Sequence, residues 1–409
     1  MTQKQTYVIV GASLCGGRAA ETLRQEGFDG RVILIGAEPE RLYERPPLSK
    51  DFLRRETERE RIYLRPPEFY TDQGIELRLG VRANDIDVRD RVLVLETGER
   101  LRFDRLLIAV GGRVRRLSVP GAELEGVYYL RTVADCERIA AELAKGGRLV
   151  VIGAGFIGAE VAASARTMGL EVTVLEGGQV PLGRALGPEM GRIYADIHRE
   201  HGIDLRLGVR VERLEGVHRV ERAAIADGQA VDCDFVVVGV GIEPATDVVK
   251  RTDIEVGNGI IVDENCRTNV EGVYAAGDVA NFPNAILGER LRLEHWANAQ
   301  NQGVAAAKAM LGSKEPYAEV PWFFSDQYDV NMQYIGHASS WDQIVIRGSV
   351  PERRFTAFYL KDGRLRAAMA LNRARDIRPC REFIRAGVPV DAEKLKDEEM
   401  DLRRLVPAS

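Results

Sequence analysis

The sequence predicts an α/β protein: two doubly wound, parallel-sheet units followed by a C-terminal α+β domain built on an antiparallel sheet. Three observations predict it. A β-branched apolar strand running into a glycine turn and then a helix occurs twice, from Thr6 and from Leu149. Each copy is followed by a second apolar strand that leads to an acid, Glu38 in the first and Glu176 in the second. From about Glu319 the strand–helix alternation gives way to clustered aromatics and period-two strands.

The middle copy, Leu149-Val150-Val151-Ile152-Gly153-Ala154-Gly155-Phe156-Ile157-Gly158-Ala159-Glu160, carries the full G-x-G-x-x-G spacing. Gly153 allows the tight turn, Gly155 lets backbone approach a pyrophosphate, and Gly158 lets the helix pack on the sheet. Phosphates belong on the helix N-terminus, where free N–H groups and the helix dipole favour negative charge. The strand Val172–Leu175 then ends in Glu176, placed for a ribose hydroxyl. The first copy runs Thr6–Val10, Gly11-Ala12-Ser13-Leu14-Cys15-Gly16, a helical run from Arg18 to Gln25, and Val32–Ile35 leading to Glu38. Its second glycine is replaced by Ser13, whose Cβ pushes against the phosphate approach while its hydroxyl can donate to phosphate. Two Rossmann-like dinucleotide-binding domains in one chain imply two dinucleotides and an electron path between them.

The remaining elements fall between and after these copies. Tyr43-Glu44-Arg45-Pro46-Pro47-Leu48-Ser49-Lys50 is a stiff turn fixed by tandem prolines. It reads equally as a helix start with a solvated lysine or as a support that places Arg45 and Lys50 near phosphate and a ring system. A helix around Pro67–Gln73 and strands Glu76–Leu79 and Val92–Leu95 precede a buried strand, Arg105–Val110, that ends in Gly111-Gly112. A linker follows from Arg113 to Gly121, and then a helix from Val133 to Leu143. Past the central copy come a helix-like segment Pro188–His201, the strand Ile203–Leu207, and an apolar strand ending at Gly239-Val240-Gly241. Gly272-Val273-Tyr274-Ala275-Ala276-Gly277-Asp278 reads either as an ordinary tight turn or, favoured by position, as an acid at a strand's carboxyl end that can accept from ribityl or phosphate-bound groups. Strands Gln343–Arg347, Phe355–Leu360 and Leu365–Leu371 build the last domain, and Asp391–Leu405 reads as a surface helix.

Composition limits the function classes. At 409 residues, 45% apolar and 29% charged, the chain has the make-up of a globular protein with a large core. No run approaches the ~18 apolar residues that span a membrane, and Met1-Thr2-Gln3-Lys4-Gln5 leads into a strand without a signal-peptide pattern. A net charge of −5 argues against nucleic acid as a partner. Cys15, Cys136, Cys233, Cys266 and Cys380 are odd in number and scattered, without metal-ligand spacing. A reduced, cytoplasmic protein with no metal site is expected. His198 and His201, three apart with no third ligand nearby, read as surface residues.

Taken together, Tyr43–Lys50, Ala275–Asp278, Leu293-Glu294-His295-Trp296-Ala297-Asn298-Ala299-Gln300 and the stretch Trp322–Asp329 resemble the oxygenase-coupled, NADH-dependent ferredoxin reductases, within the glutathione-reductase-like flavoproteins. The resemblance covers essentially the whole chain. It implies an FAD domain (1–112 and 245–318) interrupted by an NAD domain (113–244), with a C-terminal domain (319–409) against the flavin. It implies that Gly11, Ser13, Gly16 and Glu38 hold the adenosine and pyrophosphate of FAD, with Arg45, Lys50, Ala109, Arg131, Asp278 and Trp296 also along that cofactor. Gly153, Gly155, Gly158, Glu176 and Gly241 would hold NADH, and Glu160 would sit near the nicotinamide carboxamide. Three positions depart from the family pattern: Ser13 for glycine, Val110 where A-T-G is common, and Phe324 where a second tryptophan is usual.

The implied reaction is hydride transfer from NADH to FAD, then single-electron transfer to a [2Fe–2S] ferredoxin that serves a dioxygenase or a cytochrome P450. Lys50 is the candidate cation beside the flavin, with Glu160 as its ion-pair partner. The region after Glu38 holds no cysteine pair, and Cys15 is expected to be an inert thiol, although its place at a helix N-terminus would lower its pKa. Electrons are therefore expected to leave directly to an external acceptor. Glu176 is followed by Gly177-Gly178-Gln179, without an immediate arginine for a 2′-phosphate, so NADH is expected over NADPH; Arg184 is the nearest competing cation. Ferredoxins are usually acidic. Arg364, Arg366, Arg373, Arg375, Arg378, Arg381 and Arg385 make the C-terminal domain a candidate docking face, with Arg54, Arg55, Arg59 and Arg61 a second cluster. The competing readings are a rubredoxin reductase, an NADH oxidase or peroxidase, and a redox sensor resembling apoptosis-inducing factor.

Overall fold

The computed structural model describes residues 4–406. Met1-Thr2-Gln3, which open the expected first domain, and residues 407–409, which close the last, lie outside the described residues.

Three five-stranded sheets carry the fold. The first is parallel, with Val273–Ala275, Arg105–Ile108, Thr6–Val10, Arg31–Gly36 and Ile75–Leu79 side by side in that order. Val8 pairs with Ile33 on one side and Leu106 on the other, and all three are fully buried. A sheet covered on both faces needs such continuous apolar runs rather than alternation. The second sheet repeats the plan with Asp204–Leu207, Glu171–Glu176, Arg148–Ile152, Phe235–Val238 and Val127–Tyr129. The chain leaves the first sheet after Ile108 and rejoins it at Val273. On the way out and back, Gly112–Val114 and Ile242–Pro244 run antiparallel to each other.

The third sheet is antiparallel: Trp322–Gln327, Val330–Gly336, Arg364–Leu371, Arg354–Lys361 and Gln343–Ser349. Its inner face packs on the long helix of the second nucleotide unit, with Tyr334, Tyr359 and Met369 against Leu186, Met190 and Tyr194. The Tyr359 hydroxyl donates to the Leu186 carbonyl at 2.8 Å. Because side chains alternate along a strand, Phe323, Ser325 and Gln327 share one face of the first strand and Trp322, Phe324 and Asp326 the other.

Four local expectations are corrected. The helix around Pro67–Gln73 is a single turn, Phe69–Asp72. The helix-like segment Pro188–His201 runs Gly183–Glu200, broken at Gly187. His198 is not a surface residue: it is 1% exposed, its Nδ1 lies 3.0 Å from the Tyr328 hydroxyl, and burial pulls its imidazole down to about 4. The tail is not one helix but two short turns, Ala392–Lys396 and Leu402–Arg404. The reason is Arg347, whose buried guanidinium donates to the carbonyls of Leu395, Asp397, Glu398 and Met400.

Arg373 belongs to the same cluster and so leaves the expected docking face. It is 5% exposed, donates to Asp376 at 2.8 Å and pairs with Glu398. Asp376 also accepts from the Thr356 hydroxyl at 2.9 Å. Removing one partner of a buried ion pair strands the other. Arg373→Ala is expected to lower stability by about 3 kcal/mol, read as a lower denaturant midpoint; an unchanged midpoint would show the pair to be dispensable.

Candidate functional site

The two glycine turns form as the spacing requires. Gly11 has φ 118°, and a Cβ there would overlap the Ala109 carbonyl. A Cβ on Gly16 would overlap the Gly11 carbonyl, so helix and turn close on each other through bare backbone. Ser13 caps the helix Leu14–Gln25 with extended backbone, and its hydroxyl makes no capping hydrogen bond. The departure from glycine therefore leaves a donor and the helix N-terminus for an anion. In the second unit Gly153 has φ 97° and lies against the Gly239 carbonyl, while Gly158 closes on Gly153. Gly155 caps the helix Phe156–Thr167 with its Cα face open, and Gly241 has open space beside it.

Glu176 is engaged by this turn: its carboxylate accepts from Ala154 N–H at 2.5 Å and from Gly178 N–H at 2.6 Å. Glu38 is held differently, accepting from the Tyr43 hydroxyl at 2.5 Å and from Arg45 at 2.8 Å. Arg45 also donates to the Arg131 carbonyl, and Arg131 pairs with Asp278 at 3.3 Å. The chain Glu38–Arg45–Arg131–Asp278 thus crosses from the first unit to Arg131 of the second and back.

Both units face one cavity of about 270 Å³. Ser13, Arg45, Lys50, Ala109, Asp278 and Trp296 line it from the first unit, Arg131, Phe156, Ile157 and Glu160 from the second, and Trp322, Phe323 and Phe324 from the third sheet. Gly153, Gly155, Gly158, Glu176 and Gly241 stay in the second cradle, and Glu38 meets the cavity only through Tyr43 and Arg45. An open turn, an unspent hydroxyl, a helix N-terminus and a long cation-lined wall fit a flavin dinucleotide.

Lys50 and Glu160 meet inside this cavity, Nζ to Oε2 at 2.6 Å, with side chains only 13% and 4% exposed. The solvated-lysine reading of Lys50 is excluded by that burial. Two further donors, which the sequence reading missed, complete the carboxylate: the Ser49 hydroxyl at 2.5 Å and the Ser325 hydroxyl at 2.6 Å. Both lie in stretches singled out from the sequence, yet serine there carries no pattern of its own.

At the cavity wall are two further groups, Glu44 beside Trp296 and the lining His295, to which the sequence assigns no role. Trp296 donates its indole N–H to Glu44, whose carboxyl burial pushes up. His295 packs on Phe323 at 4.5 Å between ring centres, its Nδ1 is buried without a partner, and burial pulls the imidazole down to about 4. It is therefore neutral near pH 7, which leaves Lys50, Arg45 and Arg131 as the cavity's cations. Cys15 also lines the cavity. Burial pushes its thiol well up, opposite to the lowering expected from the helix N-terminus, with Cys266 and Asp278 adding to the rise. All five cysteines are buried and free.

Of the remaining arginines expected on a docking face, Arg364, Arg375, Arg378 and Arg385 are exposed and Arg366 and Arg381 half-buried. In the second cluster Arg55 and Arg61 are exposed, while Arg59 pairs with Glu137 at 2.8 Å and Arg54 with Glu56 at 2.6 Å. Among the described residues no helix is long and apolar enough to cross a membrane.

The family model for pyridine nucleotide-disulphide oxidoreductases matches residues 5–303, and the reductase C-terminal model matches residues 322–406. The 5,5'-dehydrodivanillate O-demethylase ferredoxin reductase subunit of a Sphingobium species is 40% identical over 98% of this chain and 98% of its own. The solved ferredoxin reductase for the CYP199A2 system of Rhodopseudomonas palustris superposes with a TM-score of 0.96 at 38% identity, covering 98% of this chain and 100% of that one. The covalent putidaredoxin reductase–putidaredoxin complex matches with a TM-score of 0.95 at 34% identity, covering 98% of each chain.

Proposed function

The chain belongs to the pyridine nucleotide-disulphide oxidoreductases, in their oxygenase-associated ferredoxin reductase branch, and from that premise we propose that it passes electrons from NADH through FAD to a [2Fe–2S] ferredoxin serving a dioxygenase or cytochrome P450. As a ferredoxin–NAD(+) reductase it is an enzyme that binds FAD and NAD(P)H. The observation that carries the proposal is the Lys50–Glu160 pair, which joins the two nucleotide units inside the cavity that both face.

FAD, when bound, supplies the conversion of a two-electron hydride into two single-electron transfers. The chain supplies placement and charge. Gly11, Gly16 and Ser13 would take the FAD pyrophosphate, Glu38 the ribose, and Arg45, Ala109, Arg131, Asp278 and Trp296 the length of the cofactor. Gly153, Gly155, Gly158 and Gly241 would cradle NADH, with Glu160 near its carboxamide. Lys50 holds a positive charge where negative charge accumulates on reduction. The sequence between Glu38 and Cys136 holds no cysteine, and Cys15 is buried with a thiol that resists ionisation. That supports electron exit to an outside acceptor.

The balance is one NADH oxidised, two ferredoxins reduced by one electron each, and one proton released. Anaerobic mixing of limiting NADH with the enzyme and excess [2Fe–2S] ferredoxin is expected to give two reduced ferredoxins per NADH. NADH consumption with no reduced ferredoxin would refute the proposal, and the same ratio with rubredoxin alone would move the acceptor to rubredoxin.

NADH is the proposed donor because a 2′-phosphate would meet the Glu176 carboxylate, while Arg184 is exposed beyond the turn. The expected kcat/KM for NADPH is about a hundredfold below that for NADH; equal values would overturn this choice. The proposed docking face is Arg364, Arg366, Arg375, Arg378, Arg381 and Arg385, without Arg373.

A further inference from the structure

We propose that Ser325, on the first strand of the C-terminal sheet, is a positioning residue that sets the direction of the Glu160 carboxylate and so governs how much of the Lys50 charge the flavin cavity feels. The proposal rests on the reductase reading above for the identity of the donor, but not on the identity of the acceptor.

The donors around Glu160 are divided unequally. Oε2 accepts from Ser49 at 2.5 Å and from Lys50 at 2.6 Å. Among the described residues Oε1 has one side-chain donor, Ser325 at 2.6 Å. Ser325 is fully buried and cannot exchange that bond for one to water. Its direction is fixed in turn by Gln327, 1% exposed, whose amide donates to Ser325 Oγ at 3.2 Å. An oxygen already accepting from Gln327 sends its own proton to Glu160. Three separate parts of the fold converge here: Ser49 and Lys50 from the first unit, Glu160 from the second, and Ser325 with Gln327 from the third sheet.

The consequence lies in the charge on Lys50. Its ammonium has three donors; one goes to Glu160 and another to the Pro46 carbonyl at 3.2 Å. While Ser325 occupies Oε1, Glu160 presents only one oxygen to the ammonium. Without Ser325, the buried carboxylate has lost the sole side-chain donor to Oε1, and an unsatisfied buried acceptor is costly. Of the donors bonded to Glu160, Ser49 and Lys50 remain. Turning Oε1 toward Lys50 makes the pair two-pronged and withdraws positive charge from the cavity. A domain that contributes no nucleotide cradle thereby tunes the step at which hydride arrives.

The test uses the FAD-loaded full-length enzyme, with NADH bleaching of the flavin followed in a single turnover and the flavin midpoint potential measured separately. Neither readout needs ferredoxin, so a wrong acceptor assignment leaves both intact. Ser325→Ala is expected to slow bleaching about tenfold at saturating NADH, to lower the midpoint potential, and to leave the NADH concentration dependence little changed. Placed in a Glu160→Gln background, Ser325→Ala is expected to add no further loss, because it acts through that carboxylate. Gln327→Leu, which frees the Ser325 hydroxyl, is expected to give a smaller loss of the same sign and decides the matter if Ser325→Ala does not retain flavin. Unchanged rate and potential in the variants, or a full additional loss in the Glu160→Gln background, would overturn the proposal.

Discussion

Lys50→Met is expected to slow NADH-dependent flavin bleaching about a hundredfold, equivalent to about 2.7 kcal/mol on the barrier. Lys50 pairs across the nucleotide units with Glu160, and its side chain is only 13% exposed. In such a place a fixed charge acts with little screening and no reorganisation at the moment of reaction. Methionine keeps much of the length and apolar stem while removing the charge. It also leaves Glu160 buried with only Ser49 and Ser325 as donors, so a lower melting temperature is expected alongside the slower rate. The double variant Lys50→Met with Glu160→Gln separates the two effects, since it should recover stability without recovering rate. A bleaching rate equal to the wild type would discard the electrostatic role.

Gly11→Ala is expected to yield protein without bound flavin. At φ 118° an L-residue is already strained, and the new methyl would overlap the Ala109 carbonyl and lie 2.9 Å from Val110 N. These are backbone atoms at the end of the neighbouring strand, so no rotamer change relieves them. The turn can open only by separating the strands Thr6–Val10 and Arg105–Ile108, which hold one another in parallel register. Because the same turn positions Ser13 and the helix N-terminus, the anion cradle goes with it. The check is the visible absorption of the purified variant per mole of chain. A yellow protein with wild-type flavin content would contradict the assignment of this turn to FAD.

Much of this site was legible because it rests on backbone chemistry. Gly11, Gly16, Gly153 and Gly158 stand where a side chain would overlap main chain, and such demands leave fixed spacings in a sequence. Lys50 and Glu160 are legible too, though they lie 110 residues apart. They were found through the resemblance and the charge logic of a hydride site, not through periodicity. Ser325 was not found. It reaches Glu160 across 165 residues, and a serine in a strand is more often a solvated position than a buried donor. His198 and Arg373 were misread for a related reason. Each looks polar within its own element, and each is buried by something distant in sequence: the Tyr328 turn over His198, and Glu398 of the tail with Arg373. The Cys15 thiol shows the same limit, since the helix N-terminus visible in sequence is outweighed by burial that is not.

The central claim, electron delivery to a ferredoxin from this cavity, is tested most directly by NADH-dependent cytochrome c reduction with and without added [2Fe–2S] ferredoxin. A large stimulation by ferredoxin is expected, falling steeply as salt is raised, because arginines on the C-terminal domain would steer an acidic partner and salt screens that attraction. No stimulation by several [2Fe–2S] ferredoxins, with rapid NADH loss to oxygen or peroxide, would contradict the account and favour an oxidase; little turnover with any acceptor would contradict it in favour of a sensor.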